Sequence, residues 1–118
     1  MRNLLKTLAA AAAISLTGMA ASAQSYPDRA ITIVVPFSAG GPTDTVTRLI
    51  AGPMSKSLGQ EIVVQNVTGA GGTVAAGQVA NAEADGYTVL MHHIGMSTAP
   101  TLYTNLPYNP LEDLKQIG

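Results

Sequence analysis

The chain has 118 residues, a formal net charge of -1, no cysteine and only 11% charged residues. Without cysteine there is neither a disulfide framework nor a thiol for lipid attachment, so a hydrophobic core must hold the fold. The absence of a basic surplus argues against a nucleic-acid partner, which demands a basic patch.

Residues 1–23 read as a separate object. MRNLLK carries Arg2 and Lys6 without an acid, TLAAAAAISLTGMA follows as an apolar run, and Ala21–Ala23 supply the small residues of a signal-peptidase site. The run is shorter than the roughly 20 residues that span a bilayer. A cleaved secretory signal is expected, with the scissile bond between Ala23 and Gln24 and the periplasm as destination. Arg2 and Lys6 leave with it, so the remainder is mildly acidic.

AITIVVPF, residues 30–37, is rich in Ile and Val without polar alternation, as a strand buried on both faces requires. It runs into SAGGPTD, where Gly40 and Gly41 permit positive φ, Pro42 suits a first helical turn and Thr43 can cap it. A helix start of this kind bares backbone N–H groups that attract anions. From spacing alone the stretch reads equally as an ordinary tight turn. Asp44 would compete with an anion for the same positive helix end, unless it caps or meets a hydroxyl or ammonium of a ligand. In the helix that follows, Val46, Leu49, Ile50, Met54 and Leu58 recur at steps of three and four and predict the buried face. Gly52-Pro53 predicts a kink or break, and Gly59 a stop.

EIVVQN, residues 61–66, predicts a second strand, and GAGGTVAAGQVANA a glycine-rich joint opening into a helix. Gly69, Ala70, Gly71, Gly72 and Thr73 fit neither a dinucleotide fingerprint nor a P-loop, since Val74 stands where the third glycine would and no Gly-Lys-Ser/Thr follows. Small residues there can aim amides at a carboxylate, or simply form a flexible joint. GYTVLMHH, residues 86–93, predicts a third strand. His92 and His93 would point to opposite strand faces, so one of them at most lines a site. No metal spacing accompanies them. Neither Ser38 nor Ser97 sits in a G-x-S-x-G elbow, which argues against a serine hydrolase. YTNLPYNPLEDL, residues 103–114, predicts a loop pinned by its tyrosines, ending in one helical turn.

The order β-α-β-α-β predicts an α/β fold with a parallel sheet covered by helices. Ligands of such sheets collect at the carboxyl ends of the strands, where both glycine loops lie.

Three stretches carry a resemblance in order and spacing: YPDRAITIVVPFSAGGPTDTVTRLIA, MSKSLGQEIVVQNVTGAGGTVAAGQVANAEADGYTVLM and APTLYTNLPYNPLEDL. Together they resemble the Bug-type periplasmic solute-binding receptors of tripartite tricarboxylate transporters. The resemblance implies a two-lobed periplasmic-binding-protein-like fold closing on a small organic carboxylate, with residues 24–118 as the N-terminal part of the first lobe and the second lobe absent. It implies a monomer with transient contact to membrane permease subunits, no cofactor and no metal. The ligand carboxylate would be held by backbone amides and waters at Phe37, Ser38, Gly40, Gly41, Thr43 and Asp44, and at Gly69, Ala70, Gly71, Gly72 and Thr73. His93 and Ser97 fall in a further cleft-lining segment tied to selectivity. One departure is Val67-Thr68, where the family commonly has a basic residue and proline. The alternatives are an exported α/β hydrolytic enzyme using His93 with Ser97 or Asp44, and a non-functional truncated remnant.

Overall fold

The computed structural model describes residues 25–118; the expected signal segment and its Ala23–Gln24 bond lie outside the described residues. Strand β1 (Ile31–Val35) is followed by helix α1 (Pro42–Leu58), β2 (Ile62–Asn66), a 3-10 turn (Ala70–Gly72), α2 (Thr73–Ala80), β3 (Thr88–Leu90) and α3 (Gly95–Leu102). The three strands form one parallel sheet in the order β2-β1-β3. Ile31 aligns with Ile62 and Val35 with Asn66 on one side, and Thr32 with Thr88 and Val34 with Leu90 on the other.

The central strand is the most buried because its two edges are paired and both faces are covered. Ile33, Val34 and Val35 are consecutive, point alternately to the two faces, and are all buried. Helix α1 packs on β1 and β2, while α2 packs on β1 and β3. Small side chains allow that approach: Ala51 of α1 and Ala75 and Ala76 of α2 are buried.

Helix α1 differs from its expected form in three ways. Its inward face is Asp44, Thr47 and Ala51, whereas Val46 is 52% exposed and Leu49 70% exposed. Periodicity identified a real apolar stripe, but close packing against the sheet favours small residues, and Asp44 is tied inward. Pro53 leaves the helix unbroken. The carbonyl it leaves without a donor belongs to Leu49, on the exposed side where water can reach it. The cap is Gly41, with no side-chain hydrogen bond, and Thr43 lies within the first turn. Gly59 ends the helix as expected, at φ +69, with its N–H bonded to the Ser55 carbonyl at 2.9 Å.

The third strand stops at Leu90, short of the expected His93. Met91 still donates to the Val34 carbonyl, after which the chain turns into α3, a helix the sequence pattern did not predict. Gly95, Ser97, Thr98 and Pro100 are weak helix formers, so local propensity gave no hint of it.

Candidate functional site

The first glycine loop, residues 36–41, leaves the carboxyl end of β1 and is fastened from behind. Asp44 is 2% exposed. Its Oδ2 accepts from the Gly40 N–H at 2.7 Å, and Arg48 Nε approaches both oxygens at 3.0 and 3.1 Å. Asn66, the last residue of β2, donates through Nδ2 to Asp44 Oδ1 at 3.0 Å and to the Phe37 carbonyl at 2.9 Å. Arg48 in turn donates to Asn66 Oδ1 at 3.1 Å. These partners, Arg48 foremost, then Gly40 and Asn66, hold the Asp44 carboxyl down to about 2. Asp44 therefore faces the fold, and Gly40 gives its amide to Asp44. Gly41 gives its own to the Ser38 carbonyl at 3.2 Å. The amides of Ser38, Ala39 and Thr43 form no hydrogen bond among the described residues. The amides of Phe37 and Asp44 likewise show no hydrogen bond, so the loop and the first turn of α1 together hold these donors free of the described residues.

The second glycine loop leaves β2 with four consecutive positive φ values: Gly69 at +140°, Ala70 at +43°, Gly71 at +63° and Gly72 at +97°. Glycine removes the steric cost of that path; Ala70, with a Cβ, carries it. Gly72 N–H closes back on the Gly69 carbonyl at 2.9 Å, leaving the amides of Ala70 and Gly71 without a described partner. Thr73 is buried at the start of α2. A Cβ on Gly72 would sit 3.1 Å from Pro36 Cβ, so the two glycine loops touch.

A third segment, residues 91–94, closes the group. Both histidines meet Phe37: His93 stacks on it at 4.5 Å and 7°, and His92 meets it edge-on at 5.6 Å. The expectation that adjacent histidines diverge rested on strand geometry, and the strand has ended before them. His92 Nδ1 accepts from the His93 N–H at 2.8 Å, and His93 Nδ1 from the Gly95 N–H at 3.1 Å. Burial, then the neighbouring His93, lowers the His92 pKa. Ser97 is exposed on α3, which packs beside the 3-10 turn, and its hydroxyl meets no described base.

Phe37, Gly72, His92 and His93 are thus brought together at the carboxyl end of the sheet, while Asp44 anchors from beneath. Arg48, Asn66, His92 and Tyr103, whose hydroxyl oxygen a Cβ on Gly71 would meet at 2.6 Å, were missed as participants. The four-residue spacing of Asp44 and Arg48 was a usable signal for one of them. At the opposite end of the strands lies a surface hollow of about 510 Å³, lined by Tyr26, Asp28, Arg29, Asp85 and Tyr87. Its groups serve each other: Arg29 bonds Asp85 at 2.6 Å and lies 4.2 Å over the Tyr87 ring, and Tyr26 donates to the Gly86 carbonyl. This cluster fastens the segment before β1 to the entry of β3.

A parallel sheet with glycine-rich loops at its carboxyl end is where open α/β folds collect their ligands, and comparisons with known proteins give the class: periplasmic binding proteins. The periplasmic binding protein BugD is 52% identical with a TM-score of 0.72, over 75% of this chain and 29% of that one. MatC from Rhodopseudomonas palustris, solved with bound malate, is 49% identical with a TM-score of 0.71, over 75% and 30% of the two chains. A protein encoded in the ttuE-ttuC' intergenic region of Agrobacterium vitis is 50% identical over 103 residues, 87% of this chain and 30% of that one. A family model described as tripartite tricarboxylate transporter family receptor matches residues 46–118. The chain belongs to that family. It spans about 30% of the length of the curated relatives it matches.

Proposed function

We propose that this chain supplies the first carboxylate-holding surface of an extracytoplasmic receptor that captures a small organic acid for a tripartite tricarboxylate transporter. The observation that carries it is the meeting of two amide-bearing glycine loops at one end of a parallel sheet. Amides of Ser38, Ala39 and Thr43 from one loop and of Ala70 and Gly71 from the other supply donors for carboxylate oxygens. Gly40, Gly41, Gly69 and Gly72 shape the loops, Asp44 sets the first loop from behind, and Phe37 and His93 form an aromatic wall. Residues 1–23 export the chain to the periplasm by cleavage between Ala23 and Gln24, and residues 24–118 make up the first-lobe segment. The bound acid is then passed to membrane permease subunits by a monomeric receptor.

The reading is of binding without turnover. Asp44 is committed to Gly40, Arg48 and Asn66, and His93 Nδ1 to Gly95, so the base–nucleophile pair of a hydrolase has no support here.

Thermal unfolding of the protein from its complete reading frame tests this. A panel of dicarboxylates, citrate-like acids, acidic amino acids and aromatic acids is added in turn. A ligand at a hundredfold its dissociation constant adds about 2.7 kcal/mol and raises the melting temperature visibly. A flat response across the whole panel would remove the basis of the proposal.

A further inference from the structure

Two side-chain donors stand against the second glycine loop with no hydrogen-bond partner among the described residues. A Cβ on Gly71 would lie 2.6 Å from the Tyr103 hydroxyl oxygen, and one on Gly72 would lie 2.8 Å from His92 Nε2. Neither atom bonds to another described group. The His92 ring has its Nδ1 occupied as the acceptor of the His93 N–H, so its neutral form carries the proton on Nε2, toward the loop. Among charged and titratable groups, His93 is the one that bears on His92; Arg48, the nearest cation to the glycine loops along the chain, is engaged by Asp44. The loop backbone is therefore flanked by two neutral donors, one at Gly71 and one at Gly72.

Backbone amides satisfy a carboxylate but say nothing about what the carboxylate is attached to. A neutral donor beside them does. If a ligand covers the donor without offering it an acceptor, the donor loses water and gains nothing, which penalises that ligand. Being uncharged, phenol and neutral imidazole match a hydroxyl or carbonyl oxygen, whereas a second carboxylate is better served by a cation.

We propose that His92 and Tyr103 determine specificity, selecting carboxylic acids that carry a hydroxyl or keto oxygen on the carbon next to the bound carboxylate over the unsubstituted acids. This rests on the carboxylate reading above and extends it by one atom.

Titration calorimetry near neutral pH on the protein from its complete reading frame decides the matter. Matched acids are compared: succinate with malate, glutarate with 2-hydroxyglutarate, adipate with 2-hydroxyadipate, and tricarballylate with citrate. In whichever pairs bind, the wild type takes the hydroxy acid about five- to tenfold more tightly. Tyr103→Phe removes only the O–H and is expected to cut that ratio about threefold or more, with the unsubstituted acid bound as before. His92→Phe retains a ring against Phe37 and has the same differential effect. Equal affinities within the wild-type pairs overturn the assignment and leave the carboxylate reading standing, as does an equal loss for both acids in Tyr103→Phe. Binding of none of these acids overturns the assignment, and the carboxylate reading falls with it only if the acidic amino acids and aromatic acids of the wider panel leave the melting temperature flat as well.

Discussion

Asp44 sits in the first turn of α1, yet both its oxygens are taken by partners of the fold itself, and that fixes how the molecule should respond to acid. Its pKa moves from 3.8 to about 2 on folding, so the ionised carboxylate stabilises the native state above pH 3.8. The contribution fades as pH falls through 3.8 toward about 2. Asp44→Asn should therefore melt below the wild type at neutral pH, and the gap should narrow across that window. A gap that stays constant would show that no ionised clasp exists. Gly71 permits a second test. Gly71→Ala meets both its φ of +63° and the Tyr103 hydroxyl, and a loss of about 1–3 kcal/mol is expected by denaturant unfolding. Adding Tyr103→Phe should recover the steric part and leave the backbone part, so the two changes should not be additive. At this scale the sequence spoke only of neighbours. Asp44 and Arg48 are four residues apart, a spacing that permits their pairing although the sequence reading did not draw it; Asn66 and Tyr103 reach the loops from distant positions that no local pattern connects.

Among the elements, α1 shows where periodicity misleads. Its apolar stripe was real, but Thr47 and Ala51 face the sheet because a helix can come closer on small side chains. Leu49→Gln should change stability by less than about 0.5 kcal/mol, since Leu49 is largely exposed. Ala51→Leu should cost about 1–3 kcal/mol by overpacking, and Ile33→Ala in the central strand about 2–5 kcal/mol. The reverse order for Leu49 and Ala51 would mean the helix is rotated. The strands, the first two helices and the Gly59 stop were legible because β-branched runs, alanine-rich helical stretches and a left-handed glycine are local signals. The Gly95–Leu102 helix was not, because tertiary contact with the 3-10 turn overrides its weak propensities.

For the molecule as a whole, parallel β-α-β-α-β order placed both glycine loops at one sheet end, and this much followed from the sequence. What it could not give was how the loops divide their amides: Gly40 and Gly41 spend theirs internally, while Ser38, Ala39, Thr43, Ala70 and Gly71 keep theirs. That division is the central claim, and amide chemical shifts read it directly. The isotope-labelled protein from the complete reading frame is titrated with malate, the acid bound by MatC, or with whichever panel acid raises the melting temperature. The largest shifts are expected at Ser38, Ala39, Thr43, Ala70 and Gly71, with Tyr26 to Arg29 and Asp85 to Tyr87 unmoved. Shifts concentrated instead in that second group, at the other end of the sheet, would contradict the account.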